Sequence, residues 1–174
     1  MFEVRQANSN DLNKIYSLYK KVAEQTTGIA RSSAEITKPY VKSFIRNSAE
    51  TGIELVIDNP EKKGNIIAEI HCYKLTAKVF SHTLSELTIV TDPDFQGKGI
   101  GKMIFMHLLD SISNYRNDVL RVELIARESN RKAIKFYQQI GFKLEGRLEN
   151  RIMNSLGNFE SDIPMAWFNK NYLV

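Results

Sequence analysis

The chain has 174 residues, of which 43% are apolar, enough to bury one hydrophobic core and too few for two full-sized domains. Its formal charge of +4 is scattered, which favours small anionic ligands and leaves no basic stripe with exposed aromatics for nucleic acid. The single cysteine, Cys72, excludes an internal disulfide, and the sequence has no Cys-x-x-Cys or His-x-x-x-His pair for a metal. We expect one domain, residues 1–174, without a metal.

The N-terminal sequence Met-Phe-Glu-Val-Arg-Gln has no basic segment followed by an apolar stretch, so it does not resemble a secretory signal. No apolar run approaches the ~18 residues that a membrane-spanning helix needs. We therefore expect a soluble, cytoplasmic protein that has no membrane partner.

The first half of the chain begins with a short strand and continues with two amphipathic helices and three strands. Asn8–Asp11 offers N-caps for the first helix, and Thr37 followed by Pro39 is typical of the opening of a second helix that ends at Gly52. The pattern then changes to strands. The predicted ranges are a strand over 2–6, helices over 12–22 and from 37 to 51, and strands over 53–58, 66–75 and 84–91.

The second half alternates helices and strands and then closes with two long strands. A helical crossover between the strands ending at residues 91 and 126 predicts that these two strands run parallel and adjacent. The predicted ranges are helices over 100–115 and 130–140, the latter capped by Gly141, and strands over 120–126, 142–154 and 159–168 with a turn at 155–158. This order predicts a mixed α/β fold, with a mostly antiparallel central sheet and helices on both faces.

A glycine-rich turn joins the predicted strand 84–91 to the predicted helix that begins at residue 100. Gly97, Gly99 and Gly101 permit positive φ angles and close approach of a ligand to the backbone, while the helix start leaves N–H groups unpaired. A phosphate fits such a turn, although a plain tight connection also explains three glycines. The spacing matches neither Gly-x-x-x-x-Gly-Lys-Ser/Thr nor Gly-x-Gly-x-x-Gly.

Two segments in this region resemble the signature segments of the GNAT N-acetyltransferase superfamily. The first is Gln96-Gly-Lys-Gly-Ile-Gly101, preceded by Thr91-Asp-Pro93, and the second is Asn130 to Phe142 with its Asn, Ala, Tyr and Gly-Phe pattern. Glu145-Gly-Arg147 and Asp162-Ile-Pro-Met165 are similar to the branch that acetylates N-terminal or small-molecule amines.

The resemblance implies a fold, a co-substrate and a set of contacts. The loop main chain would hold the pyrophosphate of acetyl-CoA, the end of the preceding strand would follow the pantetheine arm beside a bulge, and the second segment would complete the site. Asn130 is also explained as an N-cap. The implied acetyl-CoA contacts are Ile89, Val90, Thr91, Gln96, Gly97, Lys98, Gly99, Ile100, Gly101, Lys102, Asn130 and Phe136.

The same resemblance implies that Tyr137 protonates the leaving thiolate, although a core aromatic also explains this residue. The family's ribosomal-protein branch carries its glutamate base five residues before the Asn, where this chain has Ile125. We therefore take Glu86 as the candidate base, with Glu123 and a water-mediated path as alternatives. The oxyanion would be stabilised by a strand N–H, of Val90 or Thr91.

Remaining polar residues carry less specific predictions. His71, His82 and His107 are expected to be surface or hydrogen-bonded histidines, and Cys72 a buried structural thiol. By location alone, residues 27–31, Tyr73, Arg147 and Asn150 are candidates for acceptor contacts. The leading hypothesis is direct acetyl transfer to a primary amine of a small molecule or a protein N-terminus. The alternative is a noncatalytic acyl-CoA-binding sensor, and a homodimer through the closing hairpin is left open.

Overall fold

The computed structural model describes residues 2–26, 28–154 and 157–173. The chain divides into two compact units, Met1–Lys74 with Thr88–Ser111, and Leu75–Leu87 with Ile112–Val174. The helices and strands are β1 Val4–Gln6, α1 Leu12–Gln25, α2 Lys38–Thr51, β2 Ile53–Asp58, β3 Ile66–Tyr73, β4 Thr83–Thr91, α3 Ile100–Tyr115, β5 Arg121–Arg127, α4 Arg131–Gln139, β6 Lys143–Leu144, β7 Leu148–Met153 and β8 Phe159–Phe168.

In the first unit the strand order is β1-β2-β3-β4, where β4 contributes its C-terminal half. Strands β1 and β2 pair antiparallel, with Val4 opposite Ile57, and β2 and β3 pair antiparallel, with Glu54 opposite His71. The predicted hairpin of the second and third strands is therefore confirmed, and β3 ends at Tyr73 rather than Leu75.

Helices α1 and α2 cover one face of this sheet because their apolar stripes face it. The opposite face of β2 and β3 is buried too, because side chains that point away from α1 and α2, such as Leu55 and Ile70, are shielded from water. Apolar residues that recur at helical spacing in α3, such as Ile104 and Leu108, are buried as well. The cluster under α1 and α2 contains Ile15, Leu18, Tyr19, Val22, Val41, Phe44, Val56, Ile66 and Val90.

The second unit has the strand order β4-β5-β8-β6, with β7 also paired to β8. Strands β4 and β5 are parallel, as the crossover rule predicts, and Thr83 lies opposite Arg121. Strand β8 runs antiparallel to β5 from Arg121 opposite Phe168 to Arg127 opposite Asp162. The described elements thus form the mixed, mostly antiparallel α/β arrangement that the sequence predicts.

The predicted single strand over residues 142–154 is wrong. It is divided into the two-residue β6 and the six-residue β7, both antiparallel to β8. Asn150 has a φ of 52°, and the register of β7 shifts between Leu148 and Ile152. A positive φ at a residue with a side chain disturbs regular strand geometry, so β7 is irregular within its own span as well. Residues 155 and 156 of the predicted turn lie outside the described residues.

The predicted helix boundaries follow local capping chemistry. The Thr37 side chain accepts a hydrogen bond from the N–H of Tyr40, and that of Asn130 accepts one from Ala133. Asn8 caps a short 3-10 turn that leads into α1. At the end of α2, a Cβ on Gly52 would stand 1.9 Å from the carbonyl oxygen of Cys72, so this junction accommodates only glycine.

Among residues 2–26, 28–154 and 157–173, no helix combines the length and the apolar character needed to cross a membrane.

Candidate functional site

The glycine-rich loop between β4 and α3 has the backbone geometry that an anion site needs. Gly97 and Gly99 have φ angles of 76° and 77°, in the left-handed region that favours glycine. A Cβ placed on either residue would meet no heavy atom within 4 Å. The space beside this backbone is therefore open to a ligand.

The start of α3 supplies N–H groups to the same loop. The N–H of Met103 donates to the carbonyl of Gly99 at 2.9 Å and closes the first turn of the helix. The N–H groups of Ile100, Gly101 and Lys102 precede that bond and have no carbonyl one turn earlier in the helix. Together with the helix dipole, they favour a negatively charged group at this end.

Two aspartates and a lysine hold the chain that enters the loop. The N–H of Asp92 donates to the carbonyl of Ile67 in β3 at 2.8 Å, which ties the end of β4 to the sheet. Lys21 of α1 donates to Asp92 and Asp94, each at 2.6 Å. Burial opposes the charge of Lys21, but these two carboxylates raise its pKa above the ordinary value. The loop therefore starts from a fixed position.

The end of β4 presents its residues to alternate faces. Val90 is 3% exposed and belongs to the core under α1 and α2, whereas Ile89 and Thr91 are half-buried. A Cβ on Gly101 would lie 3.6 Å from the hydroxyl oxygen of Thr91, so the strand end and the helix start pack closely. The expected pantetheine-contacting residues thus directly precede the loop.

Strand β4 leaves regular strand geometry at the candidate base. Glu86 has a φ of 55° and an exposed side chain, two residues beyond the parallel pair Leu84 and Val122. A glutamate in this backbone region is uncommon and marks local strain. The simple alternation of faces along β4 therefore does not extend across residue 86.

Both carboxylate oxygens of Glu123, the alternative base, are already engaged. Its Oε1 accepts from the hydroxyl of Ser85, and its Oε2 lies 3.0 Å from Nη2 of Arg121. Arg121 also pairs with Glu145 at 2.6 Å. Taking a proton at Glu123 would require one of these interactions to be released.

Helix α4 carries the second predicted group of site residues. Asn130 is the N-cap, and Phe136 and Tyr137 lie in the last two turns with ring centroids 5.6 Å apart. The ring of Tyr137 also packs against Phe142, at 6.0 Å. Burial raises the pKa of Tyr137, so its phenol retains the proton at neutral pH.

The remaining predicted residues have varied surroundings. His107 is exposed, with Nδ1 3.1 Å from the carbonyl of Met103, while Cys72 is fully buried. Arg31 lies over the ring of Tyr40 at 4.4 Å, and Arg147 pairs with Glu128 at 2.7 Å. Residue 27 lies outside the described residues. In the described part of the chain, no group of three or more His, Cys, Asp or Glu side chains is arranged to hold a metal ion.

A buried polar cluster beneath α1 and α2 was not predicted from the sequence. The hydroxyl of Tyr19 donates to Glu69 at 2.6 Å, and Nδ1 of His71 lies 2.9 Å from the other Glu69 oxygen. The His71 ring stacks on Phe44 at 4.1 Å. Burial, together with the charge of Glu69, raises the pKa of Glu54 to about 9. The available signal was three ionisable residues, Glu54, Glu69 and His71, in otherwise apolar strands.

Comparison with known proteins gives the family and its relatives. The Acetyltransferase (GNAT) family matches residues 12–142. The chain is 41% identical to [Ribosomal protein bS18]-alanine N-acetyltransferase of Salmonella typhimurium over 72% of its length and 77% of that protein. It is 30% identical to spermidine N(1)-acetyltransferase of Escherichia coli K12 over 53% of its length, and this match spans only 49% of the relative.

Solved structures share the fold. The yncA protein of Salmonella typhimurium, solved with its cofactor acetyl-CoA, aligns with a TM-score of 0.83 over 100% of this chain and 97% of that one, at 15% sequence identity. At 15% identity, this structural similarity shows only that the two proteins share a fold. The family match covers most of the chain and includes the glycine-rich loop and α4. This chain therefore belongs to the GNAT acetyltransferase family.

Proposed function

We propose that this protein is an acetyl-CoA-dependent N-acetyltransferase, which moves an acetyl group directly to a primary amine of a small molecule or a protein N-terminus. The observation that carries the proposal is the loop 96–102, where two positive-φ glycines border open space at the start of α3. The proposed enzyme is a single domain over residues 1–174.

In this proposal the loop main chain binds the pyrophosphate of acetyl-CoA. The N–H groups of residues 97–102 are the donors, because they lie at the N-terminus of α3 and next to a backbone without Cβ atoms at Gly97 and Gly99. Ile89, Val90 and Thr91 then contact the pantetheine arm, and Asn130 and Phe136 contact the rest of the cofactor.

Tyr137 is the proposed general acid. Acetyl transfer to an amine breaks the thioester bond, and the leaving thiolate takes up a proton. The raised pKa of Tyr137 keeps the phenol protonated at neutral pH, as an acid must be before the reaction. A thiolate with an intrinsic pKa of ~8.5 accepts that proton readily only when the site also stabilises the phenolate or a shared proton.

Glu86 is the proposed base, acting directly or through water. An amine with a pKa of about 8 to 10 arrives mostly protonated and becomes nucleophilic only after it loses a proton. Glu86 is exposed on β4 and can reach solvent. Glu123 stays the alternative base, and a proton taken there would disturb its contacts with Ser85 and Arg121.

The acceptor is proposed as a primary amine without a further choice between small molecules and protein N-termini. One relative is named for the alanine of a ribosomal protein and another for spermidine, so both kinds of amine occur among similar proteins. A noncatalytic acyl-CoA sensor is the alternative. The enzyme would release free thiol when an amine is present, whereas the sensor would bind acetyl-CoA without releasing thiol.

The decisive experiment combines binding and turnover in one sample of the full chain. Calorimetric titration with acetyl-CoA is followed by a free-thiol assay against spermidine, a peptide with an N-terminal alanine, a peptide with an internal lysine, and free amino acids. We expect saturable binding and amine-dependent thiol release. Binding without release for any amine would favour the sensor, and absence of binding would overturn the proposal.

A further inference from the structure

The parallel strands β4 and β5 pair over only two residues in the second unit. Thr83 lies opposite Arg121 and Leu84 opposite Val122, and the ladder between the two strands ends there. Beyond that point β5 continues beside β8 as far as Arg127. Strand β4 therefore leaves its neighbour directly after Leu84, two residues before the proposed base.

A side-chain hydrogen bond follows where the main-chain pairing ends. The hydroxyl of Ser85 donates to Oε1 of Glu123, and these two residues directly follow the last pair, Leu84 and Val122. Ser85 is only 7% exposed, so it is largely shielded from water. The bond therefore joins β4 and β5 at the point where the strands part.

The Glu123 carboxylate is also held from its other side. Its Oε2 accepts from Nη2 of Arg121 at 3.0 Å, and the same nitrogen donates to Glu145, between β6 and β7, at 2.6 Å. The Arg121 guanidinium lies 5.6 Å from the centre of the Phe168 ring of β8. Hydrogen bonds to a charged group are among the stronger ones in proteins. Ser85 is thus bonded to an acceptor that several segments hold in place.

The residue after Ser85 has a backbone conformation that a glutamate rarely adopts. Glu86 has a φ of 55°, in the left-handed region that favours glycine. Such a conformation persists only when surrounding contacts impose it. Its free-energy cost and the strength of a hydrogen bond to a charged acceptor are of the same order. The Ser85–Glu123 bond, one residue before Glu86, is therefore strong enough to sustain this conformation.

We propose that Ser85 and Glu123 are positioning residues, which hold Glu86 in its left-handed conformation and so align its carboxylate for proton transfer from the acceptor amine. Proton transfer depends on such alignment, because the base must lie within hydrogen-bond reach of the proton or of one bridging water. The inference rests on the proposed function, in which Glu86 is the base. Here Glu123 acts through Ser85 and does not itself take the proton.

The first test follows the Glu86 backbone and needs no substrate. In the 15N-labelled full chain, the coupling between the amide and Cα protons of Glu86 reports its φ. Ser85→Ala should increase this coupling towards the value of an extended strand, whereas Ser85→Thr, which keeps a hydroxyl, should retain the parent value. Ser81→Ala, which removes an exposed hydroxyl just before β4, is the control. An unchanged coupling in Ser85→Ala would overturn the proposal.

The second test measures turnover with the amine of the panel above that gives the fastest thiol release. Ser85→Ala and Glu123→Ala should each lower kcat at least about tenfold and leave the Kd of acetyl-CoA within about twofold. Asp118→Ala, which removes an exposed carboxylate paired with Arg116, should change neither. Thermal unfolding checks that each variant is folded.

The variant Glu123→Gln distinguishes positioning from proton transfer at Glu123 itself. The amide oxygen of glutamine still accepts from the Ser85 hydroxyl, so this variant should retain most of the turnover that Glu123→Ala loses. A base at Glu123 would instead be lost in both variants. Equal losses in Glu123→Gln and Glu123→Ala would therefore overturn the proposal.

A double variant separates alignment of the base from general damage. If Ser85 acts through Glu86, Ser85→Ala should lower kcat in the parent and have no further effect, within about twofold, in Glu86→Gln. Equal fold-losses in the two backgrounds would contradict the proposal. Unaltered turnover in Glu86→Gln would contradict the proposed base, while a changed Glu86 coupling in Ser85→Ala would still support Ser85 as the residue that holds this conformation.

Discussion

At the scale of single residues, the molecule contains several ionisable groups whose properties are set by burial. Tyr137 is shielded among the rings of α4 and Phe142, and burial raises the pKa of its phenol. Glu54 is shielded beneath α2, beside a second carboxyl group. In each case the protonated, neutral form is favoured because the charged form is poorly solvated.

Replacing Tyr137 by Phe should lower the turnover number and leave acetyl-CoA affinity nearly unchanged. General acid catalysis typically contributes about 10²- to 10⁴-fold to a rate, and the ring that packs against Phe142 is retained. Steady-state thiol release and calorimetry measure the two effects. Tyr115→Phe, which removes an exposed hydroxyl from α3, is the matched control and should leave turnover unaltered; equal turnover of both variants would remove Tyr137 as the acid.

Replacing Glu54 by Gln should make stability less dependent on pH. The pKa of Glu54 rises from 4.5 to about 9 on folding. Between those values the unfolded chain loses the proton while the folded chain keeps it, so stability falls as the pH rises and levels off above about 9. Below pH 4.5 both states are protonated, and the carboxyl group then contributes no such loss.

The variant should therefore match the parent near pH 4 and exceed it by a margin that grows towards pH 9. One unit of pKa shift corresponds to about 1.4 kcal/mol in the free energy of unfolding. Each 1 kcal/mol moves the melting temperature of a chain of this size by about 2–4 °C. Melting curves from pH 4 to 9 measure the margin. Glu50→Gln, at an exposed position of α2, is the control and should run parallel to the parent. A constant difference between Glu54→Gln and the parent would show that Glu54 ionises normally.

At the scale of elements, the loop between β4 and α3 combines a fixed entrance with an open backbone. Lys21, Asp92 and Asp94 hold the entrance, while Gly97 and Gly99 adopt φ angles that a side chain disfavours. Contacts within the chain therefore hold the loop entrance, which lowers the entropy that ligand binding would otherwise cost there.

Replacing Gly99 by Val should abolish detectable acetyl-CoA binding and leave the fold intact. A β-branched side chain is strained at a φ of 77° and would occupy the open space beside the N–H groups. Gly157→Val is the matched control, since Gly157 has a φ of 79° and equally open surroundings in the turn before β8. Calorimetry should show lost affinity for the first variant alone. Retained affinity in Gly99→Val would contradict the assignment of the loop to phosphate.

At the scale of the whole molecule, binding of a ligand to the folded state should raise the melting temperature by mass action. Acetyl-CoA at about 100 times its Kd should add about 2.7 kcal/mol, or about 5–11 °C for a chain of this size. Differential scanning fluorimetry over a concentration series measures the shift. The Gly99→Val protein should show no shift, and a parent protein that also shows none would contradict acetyl-CoA binding.

The amino-acid sequence alone determined the order of the elements and the position of the glycine-rich loop. Apolar periodicity, Thr37 and Asn130 as N-caps, and a helical crossover between parallel strands act over a few residues or follow general rules of chain connection. The same local signals led to the proposed site residues in loop 96–102 and α4. A resemblance in short motifs was therefore enough to predict the family.

The tertiary structure alone decided which polar residues meet. Tyr19 and Glu69 are 50 residues apart in the chain, and Ser85 is 38 residues from Glu123, yet each pair is hydrogen-bonded. The division of the predicted strand 142–154 between Leu144 and Leu148 likewise depends on pairing with β8. Burial and pairing between distant segments raise the pKa of Glu54 and engage Oε1 of Glu123. The energies of such contacts depend on the folded chain and leave no pattern in neighbouring residues.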